Sequence, residues 1–395
     1  MNWETKKLEA VADFCLGKML DQKKNRGEPL PYLANINVRW GEFDLTDLRE
    51  MRFEQHESER YGLKYGDIVM CEGGVPGRCA IWKDQQSGMM IQKALHRIRP
   101  HDCLKPEFLY YFFLYKGRIG HLSPLFTGST IKHLPREKLA LVEVPVPHHS
   151  TQAHIASVLS AYDDLIENNR QRIQLLEQAA RLLYKEWFVH LRFPGHEHTK
   201  IINGIPEGWK RKVFGDVCFE VRETVSPNSL EPNTPYIGLE HMPRRSITLC
   251  EWGQAEQVTS SKHRFREGEI LFGKIRPYFH KVGIALTDGV ASSDAIIIRP
   301  VSPHLLALAL MTVSSDGFVA VSAQQMREGS KMPRADWKQM QQYFFPQPPD
   351  GVLHTFNNII APILTQLKTL AFSNRRLNAV RDLLLPRLMN GEIAV

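Results

Sequence analysis

Apolar positions along this chain follow two patterns that alternate. Up to about residue 147, short apolar runs such as Asp67-Ile68-Val69-Met70 are broken by glycine and proline turns, which is how short strands of a mixed domain read. A longer run from Phe108 to Leu114 suggests a helix. From about Ser150 the period changes. Leu159, Tyr162, Ile166, Asn169, Ile173, Leu176, Ala180, Leu183 and Trp187 succeed one another in steps of three and four. That stripe predicts a long amphipathic helix whose narrow apolar face needs another helix as cover. It fades at Phe193-Pro194-Gly195. The succession then recurs. Ile270-Leu271-Phe272 and Ala295-Ile296-Ile297-Ile298 read as strands, and Leu305 to Met311 as a helix. A second stripe follows: Ile360, Ile363, Leu367, Leu370, Asn374, Leu377, Arg381, Leu384 and Leu388. Pro362 is expected to begin or bend this helix and Pro386 to kink its end. Asn390-Gly391 is a stop signal.

The recurrence is a weak internal repeat of about 200 residues. Trp3, Leu8 and Val11 answer Trp209, Phe214 and Val217; Pro31-Tyr32-Leu33 answers Pro235-Tyr236-Ile237; Ile98-Arg99-Pro100 answers Ile298-Arg299-Pro300; Gly128-Ser129 answers Gly329-Ser330. The predicted architecture is therefore α+β, with two similar mixed α/β domains joined by two long helices. Its parts are domain one at 1–148, helix one at 149–192, a linker at 193–206, domain two at 207–349 and helix two at 350–391. The two seams are expected to pair antiparallel, as a coiled coil that turns the sequence repeat into a pseudo-two-fold object. Asn169 and Asn374 are then seam asparagines that fix register. The competing expectation is that each seam packs on its own domain.

At 43% hydrophobic and 24% charged, the composition is that of a folded globular chain and excludes a disordered one. The net charge of +7 suits a polyanion partner without demanding one. The N-terminus has no apolar signal region and no apolar run spans a bilayer, so a cytoplasmic protein with no membrane contact is expected. Six scattered cysteines without a C-x-x-C pair fit reduced thiols. Basic and aromatic residues gather in predicted loops at matching positions of both halves. They are Arg78, Lys132 and His133 in the first, and Lys274, Arg276, Tyr278, His280, Lys281, Arg327, Lys331 and Arg334 in the second. Lys and Arg suit phosphate and guanine, while His and Tyr can touch base edges, so these are candidate DNA contacts.

Catalytic motifs are missing. Gly268 to Ile275 spells most of a phosphate-binding P-loop, but Ile275 stands where Ser or Thr belongs, and Ile270, Leu271 and Phe272 belong in a buried strand. No metal site is expected, since His196-x-His198 and His148-His149 lack further ligands nearby.

Several segments resemble one known family. Val144-Pro-Val-Pro147, Gln152-x-x-Ile155-Ala156-x-Val158-Leu159-Ser160, Asp163-Asp164-Leu165-Ile166-Glu167-Asn168-Asn169-Arg170 and Leu175-Leu176-Glu177 through Lys185-Glu186-Trp187-Phe188 resemble the central conserved region of the specificity (S) subunit of type I restriction–modification systems. Leu383 through Ile393 resembles that family's C-terminal conserved region. Cys71-Glu72-Gly73-Gly74, Gly77-Arg78 and Gly273-Lys274-Ile275-Arg276-Pro277-Tyr278 resemble parts of its target recognition domains. The chain departs from the pattern at His148-His149-Ser150, at Leu353 where the first helix has Gln152, and at Arg381 in the seam.

The resemblance implies a phage-defence subunit that is not catalytic. It implies that each domain reads one half of an asymmetric bipartite double-stranded DNA target. It also implies partners: two modification (methyltransferase) subunits and restriction (translocase/nuclease) subunits. S-adenosylmethionine, ATP and Mg2+ would then belong to those partners, with no cofactor bound by this chain. The alternative from another class is a coiled-coil adaptor with two protein-binding heads, which would show little salt-dependent DNA affinity.

Overall fold

Strand Ile68–Cys71 is buried along its whole length because its side chains alternate between two cores. Ile68 and Met70 face one, Val69 and Cys71 the other. It lies inside a four-stranded antiparallel sheet ordered Ala12–Leu16, Leu95–Pro100, Ile68–Cys71, Cys79–Ile81. Helix Pro106–Arg118 buries Phe108 to Leu114 in the first core. A three-stranded sheet pairs Glu28–Leu33 antiparallel with Arg49–Phe53 and parallel with Met90–Ile91.

The computed structural model describes residues 3–22, 25–323 and 333–393. It divides into two units, Met1–Leu165 with Leu377–Val395, and Ile166–Arg376. The second unit repeats the four-stranded sheet of the first and extends its other sheet from three strands to five. Its four-stranded sheet is ordered Cys218–Val221, Ala295–Pro300, Ile270–Gly273, Val282–Ile284, and its five-stranded sheet contains Pro235–Ile237 parallel with Gly289–Ala291. The decoy P-loop is thus a buried strand of this sheet.

A buried acid marks the same turn in both units. Asp67 accepts from Arg99 Nε and Nη2, both at 2.7 Å, and from the Lys64 backbone N–H at 2.8 Å. Glu269 pairs with Arg299 and accepts from the Arg266 N–H at 3.0 Å. Each carboxylate offsets its desolvation with charge-assisted bonds. In each unit the entry and exit of the globular part also lie side by side. Thr5–Lys7 pairs with Glu143–Pro145, and Lys210–Val213 with Phe344–Gln347.

The first long helix is His149–Tyr184, continued by a π-helical turn Lys185–Val189; the second is Asp350–Met389. Of the two expectations for Pro362, that it begins the second helix does not hold. The helix starts twelve positions earlier and runs through both Pro362 and Pro386. Leu353, Phe356 and Ile360 are buried in the core of unit 2, and that packing outweighs the one donor a proline removes. His148 secures the other helix start, its Nδ1 accepting from the Ser150 N–H (3.3 Å). Buried Gln152 accepts from the Lys105 N–H (2.8 Å) and donates to the carbonyls of Cys103 (2.9 Å) and Pro147 (2.8 Å).

The seams do both things expected of them: each pairs with the other and also packs on a globular part. In unit 2, Ile173, Ala180 and Trp187 share one core with Ile360, Leu367 and Leu370, and that core also holds Phe214, Phe272 and Phe345. Leu176, Leu183 and Ile363 line its edge half-buried. Asn169 Nδ2 donates to Asn374 Oδ1 (2.9 Å), Asn374 Nδ2 to the Ile166 carbonyl (3.3 Å), and Trp187 meets Phe356 at 5.7 Å between ring centres. Rising numbers on one helix meet falling numbers on the other, so the pair is antiparallel.

In unit 1, Ile155 and Leu159 share a core with Leu385, Leu388 and Met389, with Leu384 half-buried beside them. Arg381, the odd residue of the seam, pairs there with Asp163 and Asp382, and Tyr111 donates to Asp163 (2.8 Å). The segment read as a linker carries structure of its own: Phe193 is buried against Trp209 (5.1 Å), and Ile201–Ile202 pairs with Ile205–Pro206. No single helix among the described residues is long and apolar enough to cross a membrane.

Glu177 lies off the seam and is nevertheless tightly held. It is buried and accepts from Ser246 Oγ (2.7 Å), the Ile247 and Thr248 N–H groups (3.1 and 3.0 Å) and Thr248 Oγ1 (2.5 Å). This clasp fastens the first long helix to the globular part of unit 2.

Leu367 is fully buried in the seam and Leu175 is 64% exposed on the opposite side of its helix. Leu367→Ala should cost about 2–5 kcal/mol and Leu175→Ala no more than about 0.5 kcal/mol, read from denaturant midpoints. Equal losses would contradict the seam.

Candidate nucleic-acid interface

In unit 1 the loop after strand Ile68–Cys71 meets a second loop that closes at His133. Gly73 and His133 form an isolated bridge, and Thr127 and His133 exchange two backbone bonds of 2.8 Å. Gly128, at φ 94°, makes this tight return possible. Lys132 is exposed at its end. The His133 ring sits 3.1 Å from the Glu72 carboxylate, beside solvent. Behind it, buried His96 bonds the Leu134 carbonyl through Nε2 (2.8 Å) and holds the base of the loop.

Arg78 is placed differently from the expectation. It is half-buried, and its Nη2 donates to the Asn35 carbonyl (2.9 Å). Its guanidinium staples the loop 71–79 to the turn at 34–37.

Unit 2 builds the same platform from other residues. Ile275 and Arg334 form the matching bridge, with the Arg276 N–H donating to the Pro333 carbonyl (2.8 Å) and the Ala335 N–H to the Lys274 carbonyl (2.8 Å). Arg276 and His280 both hold left-handed backbones, φ 51° and 55°, and bracket Pro277-Tyr278-Phe279. Such residues cost on the order of 1–3 kcal/mol each unless the surroundings hold them. His280 supplies that hold: it is buried, and Nε2 bonds the Ser314 carbonyl (2.7 Å). The loop therefore presents Arg276 exposed and Tyr278 51% exposed at a fixed apex.

Arg334 is exposed and lies 3.5 Å from Asp294. Lys274 and Lys281 are less free. Their ammonium groups donate to the carbonyls of Ser293 (3.0 Å) and Leu239. Burial, followed by nearby Arg244, lowers the pKa of Lys281. Arg327 and Lys331 lie outside the described residues.

Arg244 was missed. Its guanidinium stacks on Phe279 at 4.0 Å, within the loop that carries Arg276 and Tyr278. The dipeptide Arg244-Arg245 was its signal in the sequence. Glu54, His56 and Glu57 bring potential ligand atoms within 4.8 Å of one another. Glu57, however, is already paired with Lys18 at 2.5 Å, so the group reads as a surface ion-pair cluster. The arrangement as a whole is two loop platforms of one design, each with exposed cations around a shaped apex. It suits binding to a polyanion and its base edges.

A family model described as type I restriction modification DNA specificity domain matches residues 1–178. The chain is similar to the type I restriction enzyme MjaIX specificity subunit of Methanocaldococcus jannaschii, at 23% identity over 100% of this chain and 94% of that one. It is also similar to the type I restriction enzyme EcoDI specificity subunit of Escherichia coli, at 25% identity over 73% of this chain and 70% of that one. Among solved structures, the S subunit of a type I restriction–modification system from M. genitalium shares the fold. The TM-score is 0.57 at 15% identity, covering 98% of this chain and 96% of that one.

Arg276→Ala should weaken DNA binding and lower the salt slope by roughly one ion if it meets phosphate, with the melting temperature unchanged. Arg78→Ala should lower the melting temperature, because it removes the bond that ties the loop 71–79 to the turn at 34–37. Side-by-side melts and binding isotherms at two salt concentrations test both, and a melting loss confined to Arg276→Ala would reverse the assignment.

Burial lowers the pKa of His96 and of His280 below the ordinary 6.5. The unfolded chain then takes up protons first as pH falls, so stability present above about 6.5 should be lost on descending through the folded-state pKa values. Urea midpoints should drop from pH 7.5 to pH 5.5, and His96→Gln should flatten part of that drop. An unchanged slope in the variant would assign the effect elsewhere.

Proposed function

Because the chain belongs to the DNA specificity family of type I restriction–modification systems, we propose that its two units read the two halves of one asymmetric DNA target. The chain is a non-catalytic component that supplies sequence specificity to such a complex. The observation that carries the half-site reading is the repeated loop platform. The two units share the order of their four-stranded sheets and the bridge between loops, yet the loop after the central strand exposes Val75 in unit 1 and Arg276 and Tyr278 in unit 2. A common frame with different tips suits two different half-sites.

Two similar frames also suit two copies of one partner. The proposed assembly is one copy of this chain with two modification subunits, to which restriction subunits add. In this reading S-adenosylmethionine, ATP and Mg2+ are held by those subunits. A methyltransferase must flip its target adenine out of the duplex, so a separate reader that fixes register on the surrounding bases relieves it of recognising sequence.

Two measurements test this. The mass of the co-expressed complex should correspond to one specificity chain and two modification subunits. Mapping methylated adenines should give a bipartite, asymmetric target, and Arg276→Ala should relax a single half of it. A symmetric target, or an Arg276→Ala effect spread over both halves, would sink the one-unit-per-half-site reading.

A further inference from the structure

Unit 1 carries an apolar feature that phosphate binding leaves unused. Three turns, at residues 34–37, 73–78 and 127–133, are tied to one another. Arg78 Nη2 donates to the Asn35 carbonyl (2.9 Å), Asn35 Nδ2 to the Gly73 carbonyl (3.4 Å), and Gly73 pairs with His133. The tie points lie within three positions of the tips. Each tip exposes one aliphatic side chain: Ile36 at 52%, Val75 at 48% and Ile131 at 64%. A single exposed aliphatic residue is ordinary. Three at the tips of loops tied in series give unit 1 an exposed aliphatic group at each tip, apolar surface that can take an occupant.

The surroundings say which one. Lys132 follows Ile131 and is exposed, and the Arg39 guanidinium, 43% exposed, bonds the Ile36 carbonyl and lies 3.8 Å from the Asp44 carboxylate. Apolar tips with cations beside them match a base edge with phosphates beside it. In the major groove the one apolar group on a base edge is the 5-methyl of thymine. We propose that Ile36, Val75 and Ile131 read thymine methyl groups in the half-site bound by unit 1. Unit 2 places an aromatic ring and a guanidinium at the matching apex, so the two units recognise bases by different chemistry. The inference rests on the assignment of unit 1 to one half-site.

The test uses the full chain in complex with its modification subunits and duplexes that carry the mapped target. Each thymine of the unit 1 half-site, on either strand, is replaced in turn by deoxyuridine, which removes one methyl group and nothing else. At least one replacement should weaken binding about fourfold, the factor that corresponds to burying one methyl-sized group. In the variant Ile36→Ala/Val75→Ala/Ile131→Ala, thymine and deoxyuridine should bind alike at that position. Its melting temperature and its response to changes in the other half-site should stay as in the parent. The proposal is overturned if every replacement leaves affinity within about twofold, or if the triple variant keeps its thymine preference; the three side chains then serve a contact other than a base. Failure of the wider reading has its own signature: no variant of unit 1, Lys132→Ala included, would then change binding to either half-site.

Discussion

Two side-chain amides facing one another inside an apolar seam set the register on which unit 2 depends. Asn169 and Asn374 satisfy each other and the Ile166 carbonyl. A slip along the helices would leave an amide buried without a partner, at a cost of about 1–3 kcal/mol. With that register fixed, Trp187 meets Phe356, and the aromatic cluster of Phe188, Phe193 and Trp209 closes around them. Glu177 then finds Ser246 and Thr248. Unit 1 has a charged version of the same device, in which Arg381 is held between Asp163 and Asp382. Both leave the seam less apolar than it could be in exchange for a single alignment.

Most of this frame was legible because it is periodic. The two heptad stripes, the central strands and the Asn390-Gly391 stop follow spacing rules that act over a few residues. The internal repeat announced two similar frames, while their strand pairing, including the parallel pairs Leu33 with Ile91 and Ile237 with Ala291, was not legible in it. What escaped depends on partners far away in the chain. Arg78 reads as a free loop cation until the carbonyl of Asn35, 43 positions earlier, accepts its hydrogen bond. Glu177 reads as an ordinary charged position beside a seam until Thr248 arrives, 71 positions later. Pro362 does not begin the second helix, because the local rule about proline is weaker than the burial of Phe356 and Ile360 ahead of it. The candidate site divided in the same way: residue types and loop positions were visible, while the split between staples and free contacts was not.

The two platforms show how a duplicated frame can diverge at its loop tips. The buried acid–arginine pairs, Asp67 with Arg99 and Glu269 with Arg299, keep chemistry and place. The tips keep neither. Gly73 to Gly77 forms a small turn topped by an aliphatic residue, whereas Arg276 to His280 is a strained bracket around a tyrosine. Val75, Arg276 and Tyr278 stand exposed at the tips and are free to vary, whereas Arg78 and His280 beneath them hold the loops.

The paired strands at the mouth of each globular part have a consequence for inheritance. Thr5–Lys7 against Glu143–Pro145, and Lys210–Val213 against Phe344–Gln347, place the beginning and end of each reader within one hydrogen-bonded ladder. Such a segment joins the rest of the chain through a single short border, as inserted domains do. Recombination at those two borders would replace a whole reader while leaving the long helices and their register intact. A population carrying such genes could acquire new target sequences by reassortment, without waiting for loops to change one residue at a time.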